Sequence, residues 1–277
     1  MTTRKPYVAG KFYPENKNEI DDLISSILIK EKPKIDISLS EKSIIGGVVP
    51  HAGYIFSACQ AVHFFEIIKN SKTEYETIFI INPNHSGYGY DLSLDTNDSW
   101  ETPLGKVELD KDFMDLLDIP KSEIAHKYEH SGEAMLPLLQ YFLTYDYKIL
   151  PVTISRQNCE NAVTLAKAIH DANKVLKKRI LIIASSDFSH FVEPSEGKKL
   201  DQLVLDEIKA LNSEKLYDKV MQNNISVCGY GPIITLMEYS LLLTPKPQTK
   251  ILCMGNSGDV IPSNEVVDYI SILFYNA

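Results

Sequence analysis

Cysteine is scarce in this chain. Four residues, Cys59, Cys159, Cys228 and Cys253, are scattered through 277, and no two form a CxxC pair. That spacing excludes the disulfide-stapled scaffold of small secreted domains and reads as a set of reduced thiols. Long apolar runs are missing too. No stretch reaches 18 apolar residues, and the opening MTTRKPYVAGKFYP has no apolar core of the kind a secretion signal needs. The expectation is a cytoplasmic chain with no membrane partner. Positive charge is in deficit: 28 Lys and Arg against 37 Asp and Glu leave a net charge of −9. Nucleic acid and anionic lipid surfaces are poor partners for such a chain. There is no internal repeat, no coiled-coil heptad pattern and no low-complexity linker, so the reading is one domain spanning residues 1–277.

What is present is the material of a sizeable core, 44% hydrophobic residues. Four short runs rich in Ile and Val predict buried strands: SIIGGVV (43–49), TIFIIN (77–82), YKILPVTI (147–154) and RILIIAS (179–185). They show little alternation, as expected of parallel strands covered on both faces. Helical spacing follows each of the first three, in 57–70, in 132–145 with an internal proline expected to kink it, and in 160–176. Residues 195–240 read as largely helical, and 250–256 and 266–276 as two closing strands. The polar segments 32–42 and 243–250 read as surface loops. Strand–helix alternation of this kind predicts an α/β fold, a mostly parallel or mixed sheet flanked by helices.

Three of the seven histidines fall where these strands end. Strand 43–49 runs into Pro50-His51-Ala52-Gly53-Tyr54, strand 77–82 into Pro83-Asn84-His85-Ser86-Gly87, and strand 179–185 into Ser186-Asp187-Phe188-Ser189-His190. Ligands of open α/β sheets bind beyond the carboxyl ends of the strands. Proline and glycine around His51 and His85 stiffen the turns and permit close approach. Imidazole is a common ligand for zinc, copper and iron, and two from adjacent strands make half a metal site. Cys228, in the glycine-flanked turn ISVCGYGP, is the candidate third ligand, whereas Cys59, Cys159 and Cys253 sit in helical or strand patterns and read as packing residues. A second polar cluster, KYEHSGEAMLP, has two readings. Ser131 caps a helix with Glu133 in its first turn, or Glu129, His130 and Glu133 orient metal ligands from behind. His126 and His130 are four apart and would share a face if helical, a weak metal signal. Asn84 and Tyr54 are candidate pocket residues beside the histidines.

Taken in order, AGKFYP, PHAGY, PNHSGYG, EHS, SSDFSHF and CGYGP resemble the Memo family, from Gly10 to Pro232 and on to the closing strands. The resemblance implies a fold similar to class III extradiol dioxygenases. It also implies a metal centre of His51, His85 and Cys228, with His190 at the position of the dioxygenases' acid/base histidine. Those dioxygenases use two histidines and a carboxylate, so a thiolate here alters the redox behaviour of an ion and keeps ring cleavage from carrying over. The ion expected is iron or copper, with zinc a further option. O₂ or a small organic molecule is the expected substrate, and radical-SAM and AMMECR-type proteins are partners implied by the resemblance alone.

The residues admit three functions. The first is a redox metalloprotein in which His190 moves protons and Asp187 holds it or lines the pocket. The second is a metal-free hydrolase with Cys228 as nucleophile, His190 as base and Asp187 as orienting group, which leaves His51 and His85 without work. The third is a non-catalytic peptide-binding module on the same crevice, poorly served by the negative charge and the lack of an Arg cluster.

Overall fold

In the computed structural model, which describes residues 2–276, a two-residue strand β1 (Thr3–Arg4) precedes α1 (Lys17–Glu31). Asn16 starts that helix by accepting from the Glu19 amide, and Ile20, Ile24 and Ile27 form its buried stripe. Next come β2 (Ser43–Val49), α2 (Tyr54–Lys69) and β3 (Thr77–Pro83). Three short strands, β4 (Leu92–Leu94), β5 (Ser99–Thr102) and β6 (Gly105–Glu108), lead to the small helices α3 (Lys111–Leu116), α4 (Glu123–Lys127) and α5 (Met135–Phe142). β7 (Lys148–Ile154), α6 (Cys159–Leu176), β8 (Ile180–Ser185) and β9 (His190–Val192) follow. Helices α7 (Pro194–Ala210), α8 (Ser213–Gln222) and α9 (Tyr230–Leu243) precede the closing hairpin of β10 (Gln248–Asn256) and β11 (Val266–Asn276).

The main sheet runs β10-β11-β2-β8-β3-β7-β4, and β9 pairs with β11 off this path. β2, β8, β3 and β7 are mutually parallel, as their unbroken apolar runs predict, while β4, β10 and β11 pair antiparallel. The sheet is therefore mixed, with a parallel centre. β1, β5 and β6 make a separate small sheet. Two adjacent glycines in β2 show how the layers close. A Cβ on Gly46 would collide with the Ile182 carbonyl and with Leu236 of α9, and one on Gly47 with the ring of Phe64 in α2. Successive strand residues face opposite ways, so α2 and α9 press on opposite faces at the same point. α1 and α5 pack on α2, and α6 and α8 pack on α9.

Several expectations need correction. The helix read over 132–145 is confined to α5, because residues 131–134 form a turn. Ala134, not Ser131, stands at its N-cap, and Pro137 lies in the first turn, where a missing N–H removes no helical bond and forces no kink. The segment 195–240 is three helices, broken at Leu211, in left-handed conformation with φ 54°, and at the turn of Asn223 and Asn224. The loop expected over 32–42 contains two 3-10 turns, Lys32–Lys34 and Ile37–Glu41. The other loop is shorter than expected, since α9 reaches Leu243 and β10 begins at Gln248. No helix among the described residues is long and apolar enough to cross a membrane.

Candidate metal centre

His51 and His85 do not come from neighbouring strands, as the sequence reading had it. β8 runs between β2 and β3, so the two histidines approach from roughly 10 Å apart across the sheet. β8 ends at Ser185, with Ser186 next, both small enough to leave the space between the histidines open. The Ser185 hydroxyl donates to the Ser131 carbonyl at 2.8 Å and lies 2.8 Å from His51 Nδ1. With its one proton committed, the hydroxyl can only accept from the imidazole, so His51 carries its proton on Nδ1 and presents a bare Nε2. His85 is fixed in the same sense. Its Nδ1 lies 2.9 Å from Oε1 of Glu129, and its backbone N–H also donates to that carboxylate. Burial alone would raise the Glu129 carboxyl, but the His85 bond and the neighbouring His130 and Ser131 bring it down to about 2. It is therefore an ionised acceptor, and His85 Nε2 is free.

Cys228 closes the group. Its Sγ is 3.3 Å from His51 Nε2, and one donor atom from each of His51, His85 and Cys228 lies within 4.8 Å of the others. The turn that carries it is pinned from both sides. Gln157 donates to the Cys228 carbonyl at 2.7 Å and accepts from the Gly231 amide at 2.8 Å, while the Gly229 amide donates to Ser186 Oγ. A Cβ on Gly229 would strike the Ser185 carbonyl at 2.3 Å, so only glycine lets this turn come down onto β8. The Asp187 amide donates to the sulfur at 3.2 Å. Two imidazole nitrogens and a sulfur facing one space, with both Nδ1 positions engaged, fit a borderline ion: tetrahedral bonds of about 2.0–2.3 Å set such ligands roughly 3.5 Å apart. Burial and then the Asp187 carboxylate push the free Cys228 thiol well above its ordinary range, and burial pushes His51 well below.

The remaining predicted residues fall at different distances from this centre. His190 faces it. Its Nδ1–H donates to the Ser226 carbonyl at 2.7 Å, and burial lowers its pKa against hydrogen bonds to the Ser226 and Phe188 backbone. Beside it Phe191 is exposed and held at φ 55°. Asp187 is buried, its carboxyl raised to about 7 chiefly by burial. It accepts from the His51 amide and comes within 3.9 Å of His51 Nε2. It is thus placed against His51, whereas the hydrolase reading needs it to orient His190. His130 covers the pair, its ring 4.6 Å from that of His85 and 5.5 Å from that of His51. Tyr54 lies beneath, buried, with its hydroxyl on the Ala134 carbonyl. Asn84 shapes the His85 loop by accepting from Ser86 and Gly87. Glu133 touches no histidine of the centre. It is the buried anchor of the N-terminal segment, bonded to Arg4 at 2.6 Å, to Tyr13, and to the amides of Tyr7 and Val8. His126 is fully buried elsewhere, between the Ser93 carbonyl and Thr153, and α4 stops before His130, so the two share no helical face. Ser185, Gln157 and Ser226 carried no signal of their own in the sequence. A polar cavity of about 740 Å³ lined by Glu76, Lys106, Asp110 and Lys178 opens at the amino-terminal edge of the parallel strands and shares no residue with the histidines.

The family model described as Memo-like protein matches residues 4–273. The chain belongs to the Memo family. Among curated relatives, a MEMO1 family protein of Archaeoglobus fulgidus is 36% identical over 276 residues, covering 98% of this chain and 99% of the relative. Others from Methanosarcina mazei and Desulfurococcus amylolyticus are 37% and 38% identical, each covering 99% of this chain and 99% and 100% of their own. An uncharacterized protein of Escherichia coli K12, JW3007, has a solved structure that superposes with a TM-score of 0.53. At 9% identity, with 77% of this chain and 91% of that one covered, it shares the fold alone with this Memo protein.

Proposed function

We propose that this Memo protein is a mononuclear metalloenzyme of the oxidative type, with iron or copper held by His51, His85 and Cys228. The observation that supports it best is the pair of engaged Nδ1 positions. Ser185 and Glu129 each hold one imidazole in the tautomer that presents Nε2, and Sγ of Cys228 stands 3.3 Å from the first of these nitrogens. A bound ion would supply one-electron chemistry and Lewis acidity at the positions its three protein ligands leave open. The chain's own residues do the rest. His190, neutral at pH 7 because burial lowers it, takes a proton from a substrate hydroxyl at Nε2 while Ser226 holds its other nitrogen. His130 and Phe12, whose rings are 4.8 Å apart, wall the opening toward the N-terminal segment. Asp187 fixes the His51 backbone and sets the sulfur's environment through its amide.

The hydrolase alternative loses support on two counts: Cys228 is paired with His51 rather than His190, and burial keeps its thiol protonated. The test is metal content by mass spectrometry on anaerobically purified protein, wild type beside Cys228→Ala and His85→Ala. Near-stoichiometric iron or copper, lost in both variants, is expected. Wild-type protein that takes up neither ion, even after reconstitution, would overturn the proposal.

A further inference from the structure

α2 carries a second set of metal-type donors that the histidine centre does not use. His63 is buried, and its Nε2 lies 3.1 Å from Oε2 of Glu31, the buried last residue of α1. Oε1 of the same carboxylate is held by Lys34 at 2.8 Å, which turns Oε2 toward the imidazole. Cys253 reaches this point from the edge strand β10, and one donor atom each from Glu31, His63 and Cys253 lies within 4.8 Å of the others. Cys59 is one turn before His63 on the same face of α2, close enough for its charge to act on Cys253. One turn after His63, Glu66 is buried with Oε2 unpartnered among the described residues. This corner of the molecule thus concentrates soft and borderline donors where an apolar helix–strand contact would serve packing equally well.

We propose that Glu31, His63 and Cys253 form a second metal site, for a borderline divalent ion of the Zn²⁺ type, with a fourth position open to solvent. Thiolate, imidazole and carboxylate together are a zinc donor set. The 3.1 Å between His63 Nε2 and Glu31 Oε2 is already near the roughly 3.4 Å expected of two ligands on one tetrahedral ion. Only the half-buried Cys253 side chain has to swing inward. The site is separate from the first: His63 lies nine residues into α2, roughly 13 Å along the axis from the end near His51, and α1 and β10 contribute nothing to the histidine centre. Its effect is structural. It ties the carboxyl end of α1 and the middle of α2 to β10, the outermost strand of the sheet, which otherwise has only β11 beside it.

The experiment is a Co²⁺ titration of the Cys228→Ala/His85→Ala protein, in which the first centre is disabled. One equivalent should bind with a thiolate-to-cobalt charge-transfer band, Zn²⁺ should displace it, and adding Cys253→Ser should abolish the band. His63→Gln should weaken binding at least tenfold, with circular dichroism confirming the fold of each variant. Because Cys253 is only half-buried, its serine variant still decides the matter if the His63 variant fails to fold. Absence of the band before Cys253 is replaced, or its persistence afterwards, overturns the proposal and reduces the cluster to a Glu31–His63–Lys34 ion-pair network. Wild-type protein should bind two equivalents, so failure of one centre is distinguishable from failure of the other.

Discussion

Glu129→Gln is the sharpest single probe of the first centre, because it is nearly isosteric and touches no proposed ligand atom. The carboxylate accepts from four donors. Oε2 takes the His85 amide, and Oε1 takes His85 Nδ1, the Ser131 amide at 3.0 Å and the Ser131 hydroxyl at 2.7 Å. An amide side chain has one acceptor oxygen. Either way round, its NH₂ faces at least one buried N–H. That mismatch should destabilise the apo fold by about 1–3 kcal/mol, a drop of roughly 2–4 °C in Tm per kcal/mol for a chain near this size. The second effect is on metal. A neutral amide no longer raises the basicity of His85 or holds its ring, and loss of such a partner costs about 10–100-fold in affinity. In free-energy terms that is about 1.4–2.7 kcal/mol. Competition against a chromophoric chelator measures the affinity, and thermal unfolding of the apo protein measures the fold. If the affinity stays within about threefold of wild type while the fold is intact, the claim that Glu129 presents His85 Nε2 to an ion is wrong.

Arg4→Ala removes the basic side chain paired with the buried Glu133 and should destabilise by about 3–5 kcal/mol; chemical unfolding that shows a loss under about 1 kcal/mol counts against the pairing. Gly47→Ala places a methyl 2.3 Å from the Phe64 ring and 2.8 Å from the Ile272 carbonyl. It should cost about 1–3 kcal/mol, and an unchanged melting temperature would show that α2 can slide. Burial and then the Asp268 charge raise Asp201 to about 7, against the Ser189 hydrogen bonds. A folded-state pKa above the unfolded one means that this group's stabilisation is complete below about pH 4 and lost as pH rises through about 7. Urea midpoints should therefore fall over that window in wild type and flatten in Asp201→Asn; an identical slope in both would assign the dependence elsewhere.

The four parallel strands were legible because a strand buried on both faces cannot afford polar alternation, and that leaves a local trace. The histidines at their ends were legible for the same reason, since a residue's position relative to such a run is itself local. Strand order was not. That β8 lies between β2 and β3 depends on crossovers of many residues, and with it went the role of Ser185, a serine like any other until β8 sets it under His51. β4, β5 and β6 have three or four residues each, too short for a period to register. Glu133 could not be told apart from Glu129 in the sequence because EHSGE reads as one polar patch. In the fold Glu129 turns toward His85 and Glu133 toward the opposite end of the chain, at Arg4. α1 went unread despite its Ile20, Ile24 and Ile27 stripe, since the exposed Ile29 puts an apolar residue off the buried face and blurs the period.

The Arg4–Glu133 bond also bears on how the protein is made. Its partners are 129 residues apart, and Arg4 further donates to the carbonyls of His126 and Glu129. At about 5–20 residues per second, the ribosome needs roughly 6–26 s after releasing Arg4 before its carboxylate exists. Through that interval the segment around Arg4 has no Glu133 to dock on, and Phe12 and Tyr13 lack the His130 ring and the Glu133 carboxylate they rest against. The residues around Arg4 are thus made well before the partners that bury them, and the wall that Phe12 forms beside His130 closes only after the chain behind it has folded.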